Sequence, residues 1–253
     1  MIKISIISIT KDNGPLLRRT IDSVLSQELP HGVSIEHIIV DSGAPGSAEV
    51  EYGRSHGSKV VEVPPRGVYD AINAGLQHAT GDIVGLVHGA DVYNHNKVLA
   101  QVVDAFADGK TDLLYGDIVF SRAASPEVIT RYYSAAGFEP KWLLRGFAPP
   151  HPSLFMTRRT QEAVGLYDPS YKIAGDFEMS LRLFIDHKNL RYKYLDDPMV
   201  RMTAGGLSAR LINRIFRNTY EINRALYSHG YRYRLLHVLT RFLMKNKYKS
   251  PRK

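Results

Sequence analysis

Runs of apolar, strand-like residues alternate with amphipathic helical patterns through the first 120 residues of this 253-residue chain. KISIISIT (3–10) is β-branched enough for a buried strand, and PLLRRTIDSVLSQ (15–27) then places its apolar side chains on one helical face. Further strand-like runs follow, with helical patterns between them: SIEHIIVDSG, KVVEVP, residues 82–88 and DLLYGDIVF. This alternation predicts an α/β sandwich around a mostly parallel central sheet. Residues 121–150, which include several prolines, are predicted to be less regular.

The composition excludes several classes of protein. The chain has no cysteine, so it has neither a disulfide framework nor a thiolate metal site. MIKISIISIT turns polar too early for a signal peptide, and no apolar run approaches the roughly 20 residues that span a bilayer. These features predict a cytoplasmic protein.

Positive charge is concentrated at the carboxyl-terminal end. Residues 210–253 hold 12 lysines and arginines against one acid, Glu221, and therefore carry a net +11 in a chain whose total is +8. The charge pattern divides the chain into a domain, residues 1–209, and a basic amphipathic helical tail, residues 210–253. One helical face of the tail is predicted to carry Leu211, Ile212, Ile215, Phe216, Ile222 and Leu226.

Two interpretations of this tail are open from the sequence. Basic amphipathic helices lie in the interface of anionic membranes, which would place the protein peripherally on the inner face of the cell membrane. The apolar face is equally suited to packing on the domain itself or on a second subunit, as in a homodimer.

Two of the predicted strands are followed by an acidic residue. Asp41 ends IEHIIVD, and Asp91 lies just after the strand at 82–88. Because ligands of open parallel sheets bind outside the carboxyl ends of the strands, both acids are expected to line one crevice. No G-x-G-x-x-G or P-loop sequence follows a predicted strand, which disfavours dinucleotide oxidoreductases and P-loop NTPases. Carboxylates at strand ends suit Mg²⁺ or Mn²⁺ held together with a nucleoside diphosphate.

Five segments occur in an informative order: ISIISITKDNGPLLRRTIDSVLSQ, IEHIIVDSG, RGVYDAINAGLQHATGDIVGLVHGADV, PPHPSLFMTRRTQEAVGLYDPSYKIAGDFEMSLRLF and GGLS. Over residues 3–206 they resemble the family 2 glycosyltransferases of the GT-A fold. The resemblance implies an inverting enzyme that moves a sugar from a nucleotide-diphosphate sugar, with UDP-sugars favoured, to a hydroxyl of a glycan or lipid-linked acceptor. It also implies a divalent metal and a place in cell-surface polysaccharide biosynthesis.

The resemblance gives two acids a role in the chemistry. Asp91 matches the second aspartate of the family's D-x-D motif, which contacts the metal, although Gly89 stands at the first aspartate position. Asp176 matches the base that takes the proton of the acceptor hydroxyl. Gly175 stands where the family usually has a glutamate, and Glu178 is the alternative base. On residue type alone, Asp91 also fits a turn or helix cap, and Asp176 a helix N-cap.

Further residues are assigned to the nucleotide-sugar site by the same resemblance: Thr10, Asp12, Asp41, Arg66, Asp70 and, at the diphosphate or acceptor, His151. Most of them have a structural alternative. Asp41 fits an Asp-Ser-Gly turn, Asp70 a helix cap and His151 a loop histidine. His88 is interpreted chiefly as the end of its strand.

Two functions of other classes compete with the enzyme. A nucleotide-sugar-binding protein of the same fold would be inactive because Gly89 replaces an acid. A nucleic-acid-binding protein would use the basic tail, but the acidic domain and the lack of a base-reading motif disfavour it. The presence of Asp176 together with Asp91 favours the enzyme, because a binding protein needs no base.

Overall fold

The computed structural model describes residues 2–12, 14–204 and 211–232. Within these residues nine β-strands and seven α-helices form an α/β fold. The strands are β1 Ile2–Thr10, β2 Val33–Asp41, β3 Lys59–Glu62, β4 Ile83–Leu86, β5 Val92–Tyr93, β6 Leu113–Arg122, β7 Ser125–Tyr133, β8 Phe155–Thr157 and β9 Tyr192–Ala204. The helices are α1 Pro15–Leu25, α2 Ala48–Ser55, α3 Val68–His78, α4 Val98–Phe106, α5 Arg158–Val164, α6 Gly175–Leu181 and α7 Leu211–Ser228.

One mostly parallel sheet holds the described strands, which confirms the predicted architecture. The strand order is β3-β2-β1-β4-β8-β6-β9-β5, and β7 pairs with β6. β1 runs parallel to both β2 and β4, whereas β8 runs antiparallel to β4 and β6. The strands that follow β1 in sequence therefore lie on both sides of it, with β2 and β3 on one side and β4 on the other. Such a switch point leaves a crevice at the carboxyl ends of the strands.

Strand β1 is buried on both faces of the sheet, which explains why isoleucine occurs along most of its length. Side chains alternate along a strand, so the adjacent Ile6 and Ile7 point in opposite directions. Ile7 packs with Ile72 of α3 in one core cluster, and Ile6 packs with Leu99 of α4 in another. Burying one such side chain on each face contributes about 1.5–3 kcal/mol apiece.

The region predicted to be less regular contains a strand, so that prediction was wrong for residues 125–133. β7 pairs antiparallel with β6, and the pairing is irregular near Ser121. Most of its side chains are exposed, and Pro126 lies at its beginning. In the described structure β7 is joined to the sheet only through β6. An edge strand tolerates proline and polar residues, and these make a strand difficult to recognise in the sequence.

Helix α7 packs on the domain that precedes it. Ile222, Ala225 and Leu226 are buried in the core cluster that contains α3 and α6. Phe216, in contrast, is 71% exposed and Ile215 is 37% exposed, so the residues predicted to share one face are divided between core and solvent. For the described part of the tail, packing on the domain is therefore the interpretation that the contacts support.

The remainder of the predicted tail, residues 233–253, lies outside the described residues, as does GGLS at 205–208. The boundary between residues 209 and 210 stays a prediction. Among the residues that the structure describes, no helix is long and apolar enough to cross a membrane.

Candidate active site

A cavity of about 440 Å³ opens at the switch point of the sheet. Its lining comes from three places: the ends of β1 and β2, the start of α3, and the loop after β4. These residues are Ile9, Thr10, Lys11 and Ser42; Pro65, Gly67, Val68 and Ala71; and His88, Gly89 and Ala90. Its volume is typical of small-molecule sites, which range over roughly 300–1,000 Å³. Asp41 and Asp91 are both buried and directly adjoin lining residues, Ser42 and Ala90.

Two polar atoms of the cavity lining have no hydrogen-bond partner within the described structure. They are the hydroxyl oxygen of Thr10 and Nδ1 of His88, and both atoms are buried. Buried polar atoms are normally paired, so an unpaired group in a cavity lining is suited to a ligand or water. Thr10 was placed at this site from the sequence, whereas His88 was interpreted chiefly as the end of its strand.

Asp12 and Asp41 shape the loops at the ends of β1 and β2. The Gly43 amide donates to Asp41 Oδ1 over 2.9 Å, and the Ala44 amide donates to Asp12 Oδ1 over 3.0 Å. A side chain at position 43 would lie 2.6 Å from Asp12 Oδ1, so glycine is required for this close approach. Asp41 therefore forms the turn expected as its structural alternative, at the edge of the cavity.

Arg66 and Asp70 lie where the chain enters α3, beside the cavity. Arg66 is exposed, and Asp70 occupies the first turn of the helix without forming a side-chain cap. A Cβ placed on Gly67 would be 3.7 Å from Asp70 Oδ2 and 3.9 Å from Nζ of Lys172. The Asp70 carboxylate and the Lys172 ammonium thus both lie beside Gly67, a residue that lines the cavity.

Asp91, which follows β4, is held by residues of α1 and β9. Its Oδ1 accepts a hydrogen bond from the Thr203 amide of β9 over 3.1 Å. Its carbonyl oxygen accepts from the Thr20 hydroxyl of α1 over 2.7 Å, and Thr203 also donates to the carbonyl of Ala90 over 2.6 Å. Burial raises the pKa of Asp91 to about 6, which the Thr203 hydrogen bond partly opposes. No helix begins at Asp91, so the side chain is not a helix cap.

A divalent cation fits this crevice only if it takes most of its ligands from the substrate. No group of three His, Cys, Asp or Glu side chains converges on a common point within residues 2–12, 14–204 and 211–232. Asp91 uses one oxygen for the Thr203 amide, and a carboxylate retains acceptor capacity beyond one hydrogen bond. Mg²⁺ is commonly bound by one or two carboxylates plus phosphate oxygens and water, which is the arrangement that Asp91 allows.

Asp176 lies in the first turn of α6, and Tyr69 of α3 holds the turn. The Tyr69 hydroxyl accepts from the Gly175 amide over 2.8 Å and donates to the Ile173 carbonyl over 2.8 Å. It also lies 3.5 Å from Oδ1 of Asp176. A Cβ on Gly175 would come within 2.7 Å of the Tyr69 ring. The space that a glutamate would need at position 175 is therefore filled by an aromatic ring.

The two carboxylates of α6 have opposite electrostatic environments. Burial raises the pKa of Asp176 to about 6, against hydrogen bonds from the Phe177 amide and Tyr69 that lower it. For Glu178, burial also raises the pKa, but hydrogen bonds from His229 and Arg182 lower it overall. Glu178 is 2.8 Å from Arg182 and 3.3 Å from His229, whereas Asp176 has no cationic partner in the described structure. Asp176 is thus the carboxylate suited to accepting a proton near neutral pH.

His151 connects the cavity lining to the core behind Asp176. Its Nε2 lies 2.7 Å from the Tyr167 hydroxyl, and its ring stacks 6.1 Å from that of His88. Tyr167 in turn stacks on Tyr69 at 5.8 Å. Burial lowers the pKa of His151 to about 4, so the ring is neutral at pH 7. His151 therefore has a structural partner, Tyr167, which agrees with its interpretation as a structural histidine. It also lies next to the cavity residue His88.

Two residues that organise the site were not identified from the sequence. Tyr69 lies within RGVYDAIN, next to the predicted Asp70, and a tyrosine on a predicted helix carries no signal that distinguishes it from a core residue. Glu221 of α7 binds the segment before Asp176, and its signal was its isolation as the one acid among the basic residues of the tail.

Comparison with known protein families and sequences gives consistent matches. The model of the family described as Glycosyl transferase family 2 matches residues 5–160. An uncharacterized glycosyltransferase of Mycobacterium tuberculosis is 32% identical over 184 residues, which cover 71% of this chain and 68% of that protein. A PGL/p-HBAD biosynthesis glycosyltransferase of the same species is 26% identical over 153 residues, covering 60% of this chain and 57% of that protein.

Comparison with solved structures identifies the fold as GT-A. Residues 1–349 of TarS from S. aureus, in complex with UDP-GlcNAc, match with a TM-score of 0.68 and 15% identity, over 97% of this chain and 75% of that one. The longer TarS chain matches over 96% of this chain but only 43% of its own length. The mannosyltransferase PcManGT from Pyrobaculum calidifontis, in complex with GDP-Man and Mn²⁺, matches with a TM-score of 0.64 and 17% identity, covering 98% of this chain and 76% of that one.

Proposed function

The chain belongs to glycosyl transferase family 2, and on this premise we propose that it is an inverting glycosyltransferase. Its donor is a nucleotide-diphosphate sugar, and its acceptor is a hydroxyl of a glycan or a lipid-linked sugar. The observation that carries the proposal is Asp176, a carboxylate with a raised pKa and no cationic partner in the described structure, at the start of α6. In the alternative, a nucleotide-sugar-binding protein without activity, such a group would have no role in catalysis.

In the proposed reaction Asp176 takes the proton of the acceptor hydroxyl. The acceptor oxygen forms a bond to the anomeric carbon while the bond from that carbon to the diphosphate oxygen breaks, and the electron pair leaves with the diphosphate. One base on the face opposite the leaving group suffices for inversion. Glu178 does not take this role, because Arg182 and His229 occupy its oxygens.

The donor lies in the 440 Å³ cavity at the switch point. The unpaired hydroxyl of Thr10 and Nδ1 of His88 offer hydrogen bonds to it, and Lys11 and Lys172 bring positive charge to its neighbourhood. Structures of the same fold hold UDP-GlcNAc and GDP-Man, and of these a UDP-sugar is the donor that we favour. A divalent cation at Asp91, Mg²⁺ or Mn²⁺, would neutralise charge on the departing diphosphate.

We also propose that the protein associates with an anionic membrane surface, where a lipid-linked acceptor of polysaccharide biosynthesis would be found. The observation that favours this is an exposed aromatic stripe on α7, formed by Phe216, Tyr220 and Tyr227. Their spacing of four and seven residues places them on one side of the helix, and the buried Ile222 and Leu226 lie on a different side. Arg217 and Arg224 accompany the stripe, within a segment of strong positive charge.

A donor panel tests the proposal directly. UDP- and GDP-sugars are incubated with the protein and Mn²⁺, Mg²⁺ or EDTA, and release of the nucleoside diphosphate is measured with and without simple glycoside acceptors. We expect at least one donor to be cleaved. The cleavage should require the cation, and Asp176→Asn should abolish it. Tight binding of a donor without cleavage under any condition would favour the binding protein instead.

A further inference from the structure

The segment that leads into α6 is bound by a glutamate of α7, which is distant from it in the sequence. Three consecutive amides, those of Lys172, Ile173 and Ala174, donate to Oε2 of Glu221 over 3.1, 2.8 and 2.9 Å. Glu221 lies on α7, and only 3% of it is exposed. Its other oxygen accepts from Nε of Arg217 over 3.2 Å.

Glu221 is ionised when it makes these contacts. Burial raises its pKa, but the three amide hydrogen bonds and the one from Arg217 outweigh burial and lower the pKa overall. Hydrogen bonds to an ionised carboxylate are about twice as strong as those between neutral groups. A buried carboxylate that three amides surround is therefore a firm anchor for the backbone that it binds.

Glu221 and Tyr69 hold the approach to Asp176 from two sides. Tyr69 of α3 binds the Ile173 carbonyl and the Gly175 amide, and Glu221 of α7 binds the amides of residues 172–174. Asp176 follows immediately, so the position of its carboxylate depends on a backbone segment that has little freedom left. Neither partner is near this segment in sequence.

We propose that Glu221 is a positioning residue for the base, and that α7 is consequently part of the catalytic apparatus. This inference rests on the proposed function of Asp176. Glu221 does not touch the substrate; it fixes the 172–174 backbone so that Asp176 meets the acceptor hydroxyl in a reactive geometry. A misplacement of about 1 Å in such a group can lower the rate by roughly a hundredfold.

Glu221 also acts on Asp176 through its charge. The groups that face Asp176 from neighbouring elements are Tyr69 of α3, Tyr167 and Glu221. Both tyrosines have raised pKa values and are neutral near pH 7, so Glu221 supplies the negative charge among them. That charge adds to burial in raising the pKa of Asp176. Removing it therefore lowers the pKa of Asp176, a change that a purely structural contact would not produce.

The test compares Glu221→Ala, Glu221→Gln and the control His229→Asn in the full chain. His229, the residue after α7, also binds α6 through Glu178 and the segment after α6 through Asp186, but it makes no hydrogen bond to the 172–174 amides in the described structure. The measurements are kcat and KM for hydrolysis of a donor that the panel identifies, binding of UDP, and the pKa of Asp176. The pKa is read by ¹³C NMR of aspartate-labelled protein, in which the Asp176→Asn variant identifies the resonance.

We expect Glu221→Ala to lower kcat by about ten- to a hundredfold while UDP binding and donor KM change less than about twofold. Glu221→Gln retains more activity, because its amide oxygen still accepts from the backbone, and it lowers the pKa of Asp176. His229→Asn lowers the melting temperature without a matching loss of kcat. If Glu221→Ala is insoluble, the kcat of Glu221→Gln and the pKa of Asp176 in that variant test the inference instead.

Three results would overturn the inference: wild-type kcat in Glu221→Ala, an unchanged Asp176 pKa in Glu221→Gln, or equal kcat losses in His229→Asn and Glu221→Ala. Failure of the proposed function is separately visible. If Asp176→Asn remains active, the base assignment is wrong whatever Glu221 does. If Asp176→Asn is inactive and Glu221→Ala is fully active, only the positioning role fails.

Discussion

The donor cavity and the segment around Asp176 are built in different ways. The cavity lies among short loops at the ends of β1, β2 and β4. The first two loops are shaped by contacts between loop ends, such as those of Asp12 and Asp41, and the third is held by Thr20 and Thr203. The Asp176 segment is instead fixed by Tyr69, more than 100 residues earlier, and by Glu221, about 50 residues later. The proposed donor site is therefore built at the ends of the sheet strands, whereas the position of the proposed base depends on helices that pack across the molecule.

This difference implies that the two halves respond differently to mutation. Changes in the loops should affect donor binding and leaving-group departure. Changes around Asp176 should lower turnover and leave the donor bound. Substitutions in each half should therefore separate donor binding from turnover.

The largest effect is expected for Asp176→Asn, which keeps the side-chain size and removes the proton acceptor. We expect turnover to fall about 10³-fold, within the range of roughly 10²–10⁴ typical of general base catalysis, with UDP binding nearly unchanged. Steady-state kinetics and calorimetric titration with UDP measure the two quantities. Glu178→Gln is the companion variant. A larger loss in Glu178→Gln would transfer the base to Glu178, and equal losses of binding and turnover would place Asp176 in the donor half.

Asp91→Asn should have the next largest effect, on the donor half. The substitution removes the charge proposed to hold the cation, so we expect a loss of transfer on the order of a hundredfold with the fold intact. Circular dichroism and the Mn²⁺ dependence of the rate provide the measurement. Near-wild-type transfer by this variant would show that the metal assignment is wrong. Asp82→Asn, an exposed acid before β4, serves as the matched control.

The pH dependence of turnover distinguishes the two carboxylates of α6. A base must be deprotonated, and the pKa of Asp176 is raised from 3.8 to about 6, so activity should fall about tenfold per pH unit below pH 6. The pKa of Glu178 is lowered from 4.5, so a Glu178 base would itself stay mostly deprotonated at pH 5. The pKa of Asp91 is also about 6, but a loss that acts through Asp91 should appear in cation-dependent UDP binding as well as in turnover. The profile of kcat between pH 4.5 and 8 separates these outcomes, with UDP binding at each pH as the control.

Tyr69→Phe should lower turnover by about tenfold, because the segment before Asp176 then loses one of its two anchors. The variant keeps the ring against Gly175 but leaves the Gly175 amide without the hydroxyl that it binds. An unpaired buried amide costs about 1–3 kcal/mol, so the melting temperature should also fall. Tyr167→Phe removes the hydroxyl of the stacked ring and should lower turnover less. The same loss in both variants would mean that the rings, and not the Tyr69 hydroxyl, position the segment.

The crevice of the proposed donor half could be predicted from the sequence, whereas for the other half the resemblance indicated Asp176 but not the residues that hold it. Apolar strands followed by acids predicted the crevice, and the cavity does lie beside Asp41 and Asp91 at the strand ends. Local patterns contain that information, because strand ends and turns are encoded within a few residues. The contacts of Glu221 and Tyr69 are long-range and leave no local pattern. The single acid in a basic helix was visible, but not the three amides that it binds.

The outer face of α7 belongs neither to the proposed donor cavity nor to the Asp176 segment. The combined variant Phe216→Ser, Tyr220→Ser and Tyr227→Ser removes the aromatic stripe and leaves Glu221 and the buried face in place. We expect cosedimentation with vesicles of anionic lipid to fall several-fold, and added salt to weaken the wild-type binding. Val128→Ser with Ile129→Ser, exposed apolar residues of β7, is the control. Donor hydrolysis should be unchanged, because the substituted side chains face away from the Asp176 segment. Equal sedimentation of the wild type with neutral and anionic vesicles at low salt would leave α7 as an anchor of the base segment alone.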